Sequence, residues 1–219
     1  FKEKLNLLIT YPGIIKYSRD ISWLLLEKVF QIIVNLFIGI WVIRYLGPEQ
    51  FGLISYVLSF VSLFMIFATL GLDSIVVREL VNNRNKQEEL IATAFWLKFT
   101  GAIAVIIMIM MAINFISLGT QEVMFILIIA SVMIFKSFDV IDFYFKSHVL
   151  SRYVVFTKIA ALILSGAIKI ALILNESSLI YFVWLYVFDS IVIASGLIYF
   201  YFKNKFKVQH SNLIFNKYI

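Results

Sequence analysis

The sequence predicts an all-α, polytopic membrane protein built as a lobe of six transmembrane helices. Three observations carry that prediction. Hydrophobic residues make up 62% of the 219 residues and charged residues only 15%, against about 45–50% and about 25% in soluble domains. The mean hydropathy is +0.96, too high for the apolar surface to be covered by polar groups in water. The apolar residues also fall into runs near the ~20 residues that a helix needs to cross a ~30 Å hydrocarbon core. No segment shows the roughly ten-residue alternation of a membrane β-barrel.

The elements follow in chain order. Residues 1–20 read as an interfacial amphipathic segment, with Leu5, Leu7, Leu8, Ile9, Ile14 and Ile15 among lysines. No cleavable signal is visible there, so the first span is expected to act as an uncleaved anchor. The chain opens at Phe1 rather than Met, as a trimmed or partial sequence would. The six-helix lobe covers 21–202, with spans at 21–45, 49–72, 89–116, 122–146, 153–174 and 179–202. Gly47-Pro48 marks a tight turn between the first two. Span two is expected to continue past Gly71 as a polar-edged helical tail, Asp73–Val81, before a charged loop, Asn82–Glu89. Ser117–Gln121 and Asn175–Ser178 read as short turns. Residues 203–219 form a basic cytoplasmic tail or the start of a linker.

Lys and Arg orient the spans. With the N-terminus in the cytoplasm, thirteen of the 19 basic residues fall on that side and only Arg44 on the other. Both termini are then cytoplasmic, and the net charge of +6 reflects membrane orientation rather than nucleic-acid binding. The chain has no cysteine, which excludes disulfides and thiolate metal sites. Its two histidines, His148 and His210, lie outside the spans. No P-loop, zinc-protease or nucleophile-elbow motif is present, so no enzymatic activity and no cofactor is expected.

Nine charges nevertheless sit inside the spans: Glu27, Lys28, Lys98, Lys136, Asp139, Asp142, Lys158, Lys169 and Asp189. Each would cost ~2.5–3.5 kcal/mol at the bilayer centre. They must therefore pair, snorkel or line water. Lys158 and Lys169 return to nearly the same face of span five, a cationic stripe about 16 Å long. Lys136, Asp139, Asp142 and Lys146 share a sector of span four, where Lys136 with Asp139 also reads as a simple ion pair. Lys28, Gln31 and Asn35 share a face of span one with Glu27 beside it, and Ser55, Ser59 and Ser62 line one side of span two. Lys28, Lys98, Lys136, Lys158 and Lys169 are thus candidate anion-binding residues of a hydrated cavity. Glu27, Asp139, Asp142 and Asp189 are candidate coupling or ion-pairing acids, with Asp189 the candidate protonatable site. Ala161 with Ser165, and Ser190 with Ala194, suit close helix packing.

Tyr45-Leu46-Gly47-Pro48-Glu49-Gln50-Phe51-Gly52-Leu53-Ile54-Ser55-Tyr56, then Thr69-Leu70-Gly71-Leu72-Asp73-Ser74 and Val77-Arg78-Glu79-Leu80, resemble the bacterial polysaccharide flippase family. This is the exporter group for O-antigen and capsule repeat units within the multidrug/oligosaccharidyl-lipid/polysaccharide exporter superfamily. The resemblance implies one half of a twelve-helix, two-lobe transporter, with a C-terminal lobe missing from this sequence. It further implies flipping of undecaprenyl-diphosphate-linked oligosaccharides across the inner membrane by alternating access. The implied partners are that lipid-linked substrate, membrane lipids, the missing lobe and other polysaccharide assembly proteins. A drug or cation exporter of the same superfamily and a membrane-embedded glycan polymerase are the alternatives.

Overall fold

The computed structural model describes the backbone of residues 12–69 and 71–215, and side chains over 18–68, 71 and 73–204. Residues 1–11 of the expected interfacial segment, Leu70 of the motif and the side chains of the basic tail beyond 204 lie outside the described residues.

Helix α1 (Pro12–Thr69) is two helices that abut at Gly47, whose φ of 72° and ψ of 174° make a one-residue corner. Glycine tolerates that positive φ, and Pro48 behind it is well placed to start a new helix. Gly71, with φ 63°, breaks the chain again before α2 (Leu72–Asn82). The tail of span two is therefore a separate helix rather than a continuation. Most of the expected loop at 82–89 is helical too, with a 3₁₀ turn at Arg84–Lys86 leading into α3 (Gln87–Ile113). Span four is likewise interrupted: α4 (Thr120–Lys136), a 3₁₀ turn at Ser137–Asp139, and α5 (Val140–Ser147). Then come α6 (Arg152–Leu174) and α7 (Leu179–Phe215). Pro12–Asp20 belong to the helix of the first span, and the start of the tail belongs to that of the last.

Among the described residues, five helical stretches are long and apolar enough to cross a membrane. The first covers 18–82 and contains both arms of α1, which run in opposite directions. In the first arm Asp20 meets Ser151 and Tyr45 meets Ser177, so that arm lies parallel to α6 along its whole length. In the second arm Met65 and Ala68 descend to Met133, Lys136 and Ala102. The apolar core sits around that second arm, where Val57, Val61, Ile109, Phe125, Ile126 and Val183 pack together. Leu, Ile and Phe side chains over the outer surface are exposed, as lipid-facing residues of a membrane protein are.

The C-termini of α5 and α6, which bracket α6 in the chain, end in the same kind of cap. At one, Leu150 N–H donates to Phe145 O (2.9 Å) and Val149 N–H to Lys146 O (3.1 Å). At the other, Ser177 N–H donates to Leu172 O (3.0 Å) and Glu176 N–H to Ile173 O (3.2 Å). These are Schellman pairs, whose left-handed residue is usually glycine. Here Val149 (φ 58°) and Glu176 (φ 47°) occupy it. The first arm of α1 binds beside both caps. Asp20 accepts from Ser151 N–H (2.8 Å) and Oγ–H (2.5 Å), and Tyr45 Oη donates to Ser177 O (2.9 Å).

Candidate functional site

Between the first arm of α1, α6 and α7 lies an open cleft of about 640 Å³. Its walls follow from helical spacing. Glu27, Lys28, Gln31, Asn35 and Ile38 come from α1, Lys158, Ser165 and Lys169 from α6, and Tyr186, Asp189 and Ile193 from α7. Positions three, four and seven apart fall on one helix face. Gly166 lets the walls approach: a Cβ there would sit 2.7 Å from Ile38 Cδ1.

Three ammonium groups and two carboxylates line this space. Glu27 is only 4% exposed and lies 3.7 Å from the Lys28 ammonium, which also donates to Gln31 Oε1 at 3.0 Å. Lys158 and Lys169 stand eleven residues apart on α6, about 16 Å along its axis, so the predicted stripe faces the cleft. Asp189 feels the charge of Lys169 and the hydroxyl of Ser165. That hydroxyl also lies 3.5 Å from Leu162 O. Asp189 Oδ1 is buried without a hydrogen-bond partner. Among the described residues, no ion pair within 4.0 Å involves Lys169 or Asp189.

The other four intramembrane charges stand outside the cleft. Lys98 is 6% exposed, pairs with Asp73 at 2.7 Å and lies over the Phe143 ring at 4.4 Å. Lys136 donates to Met65 Sδ at 3.3 Å; the simple i,i+3 pair with Asp139 does not form within 4.0 Å. Both lysines line a separate cavity of about 170 Å³ with Asp73, Ser137 and Asp139. Asp142, 5% exposed, binds Lys146 at 3.0 Å and Lys158 at 3.3 Å, both through Oδ2. A third cavity, about 160 Å³, is lined by Lys136, Asp139, Asp142, Lys158 and Ile193. It shares Lys158 and Ile193 with the cleft, and Lys136 and Asp139 with the second cavity.

The serines of span two do not reach the cleft; Ser62 Oγ donates to Ser59 O at 2.8 Å instead. Tyr186 is a cleft residue that sequence patterning did not single out, because an aromatic residue on an apolar helix carries no signal of its own. Asp73 of the motif and Lys146 of the span-four sector act as ion-pair partners of Lys98 and Asp142. Among the described residues, no three His, Asp or Glu side chains gather as a metal site.

An all-α bundle of membrane-crossing helices around a charged cleft defines a polytopic membrane protein. Residues 17–219 match the family described as polysaccharide biosynthesis protein, and the chain belongs to that family. No curated protein and no solved structure matches it. The flippase-type resemblance read from the Gly47 and Gly71 motifs agrees with this membership.

Proposed function

We propose that the chain is one lobe of a transporter that flips a polyprenyl-diphosphate-linked oligosaccharide from the cytoplasmic to the outer leaflet of the bacterial inner membrane. The observation that carries this reading is the convergence of Lys28, Lys158 and Lys169 on one cleft from two neighbouring helices. Three ammoniums lining one cleft favour a diphosphate through charge-assisted hydrogen bonds. The cleft volume falls within the ~300–1,000 Å³ of ligand sites. Its open side suits closure by a second lobe, which rocks against this one to alternate access. Both termini of this segment face the cytoplasm, following the distribution of Lys and Arg.

Glu27 and Asp189 in the same cleft favour a second reading, export of an organic cation. The third ammonium leaves the cleft with a surplus of positive charge, which argues for the anion.

The test is the Lys158→Ala, Lys169→Ala double variant of the full-length protein, expressed at matched level in a strain lacking it. Surface polysaccharide should fall to the level of the null strain, with lipid-linked repeat units accumulating on the cytoplasmic leaflet. Undiminished export overturns the anion reading. Single cysteines at Glu49 and Asn83, in a full-length protein otherwise free of cysteine, report orientation; this segment contributes none. A membrane-impermeant thiol reagent on intact cells should label the first and spare the second.

A further inference from the structure

We propose that Asp142 holds Lys158 in reserve, and that an anion entering the cleft takes the Lys158 ammonium from Asp142 while Lys146 stays behind. This rests on the reading of the cleft as a diphosphate site.

Lys158 belongs to two environments at once. It lines the open cleft, and it lines the small inner cavity where Asp142 lies. Its ammonium is 3.3 Å from Asp142 Oδ2, and its side chain retains 29% exposure. A lysine on a flexible four-carbon stem can swing between two partners with little backbone change.

Asp142 is built to let it go. The same Oδ2 atom holds Lys146 at the shorter distance of 3.0 Å, from four residues along the same helix. Its Oδ1 is buried and has no hydrogen-bond partner. Removing the sole partner of a buried carboxylate would strand a charge and be strongly destabilising. With Lys146 in place, the departure of Lys158 leaves Asp142 still paired. The contrast is Lys98, whose 2.7 Å pair with Asp73 and position over Phe143 give it no second environment on the cleft.

At rest, then, the cleft presents Lys169 outside any ion pair within 4.0 Å, Lys28 beside Glu27 and Gln31, and Lys158 conditionally. The competition between Asp142 and the diphosphate sets how tightly the cleft holds its cargo. Weakening the Asp142 hold on Lys158 should tighten diphosphate binding. Strengthening that hold should weaken it.

The two directions make the test. The full-length protein in detergent micelles is titrated with inorganic diphosphate by calorimetry. Asp142→Asn, which keeps the shape and removes the charge, should bind diphosphate about 5-fold or more tightly than the wild type. Lys146→Ala, which leaves Asp142 with Lys158 alone, should bind it more weakly by a similar factor. Lys158→Ala placed on Asp142→Asn should erase the gain. A merely structural Asp142 would move both single variants the same way, and that result overturns the exchange. So does unchanged or weaker binding by a folded Asp142→Asn variant. If Asp142→Asn fails to fold, Lys146→Ala alone decides: unchanged or tighter binding overturns the exchange. The cleft reading fails separately, if Lys158→Ala with Lys169→Ala leaves diphosphate affinity unchanged or if the wild type binds none, and the exchange falls with it.

Discussion

Tyr45 and Ser177, 132 residues apart, are joined by a 2.9 Å hydrogen bond from the phenol to the backbone carbonyl. With the Asp20–Ser151 contact at the other end of α6, it fastens the front wall of the cleft at both ends. Tyr45→Phe should lower the stability of the full-length protein by about 0.5–1.5 kcal/mol. Asp20→Ala, which removes a charged acceptor at a partly exposed site, should cost about 1–2 kcal/mol. The two ties are far enough apart that the double variant should show the sum, to within ~0.5 kcal/mol. Denaturant unfolding in detergent checks all three; a double variant no worse than either single one would mean that the arm is not held by its ends.

Two helix-contact glycines should respond unequally to alanine. A Cβ at Gly196 would come 2.5 Å from Thr157 Cγ2 and 3.2 Å from its Oγ1. Thr157 is buried, β-branched and tied to Tyr153 O at 3.0 Å, so it cannot easily turn aside. Gly196→Ala should therefore cost about 1–3 kcal/mol. Gly166→Ala meets only the Cδ1 tip of Ile38, which can rotate, and should cost less than about 1 kcal/mol. Thermal melts of the two purified variants give the comparison, and an equal loss would contradict it.

Lys98→Ala should separate folding from binding. It removes the 2.7 Å pair with Asp73 and the contact over Phe143, and should lower stability by about 1–2 kcal/mol. Diphosphate affinity should be unchanged, because Lys98 faces the second cavity rather than the cleft. A large drop in affinity with unchanged stability would reverse that placement.

The Gly47 corner and the Lys158–Lys169 stripe were legible in the sequence, because each depends on local chemistry or on the period of one helix. Of Lys136, Asp139, Asp142 and Lys146, read as sharing one sector, the first three line one cavity, while Lys146 is outside its lining and pairs with Asp142. The 3₁₀ turn at Ser137–Asp139 was not legible: no glycine or proline marks it. Nor were the left-handed Val149 and Glu176, where no glycine or asparagine announces the cap. Sequence reading grouped Lys98 and Lys136 with the cleft lysines, whereas they line a separate cavity, because periodicity ranks the faces of one helix without saying which neighbour each face meets. The pairs Lys98–Asp73 and Lys158–Asp142 cross between helices, and only the packed structure supplies such partners.

The corner at Gly47 consists of one residue, so it contains no slack. The first arm forms a wall of the cleft, while the second runs through the apolar core. Any tilt of that wall must therefore be absorbed by the φ and ψ of Gly47 alone or move the core with it. Lengthening the joint would uncouple the two arms without touching a charged residue, turning a rigid lever into a loose strap.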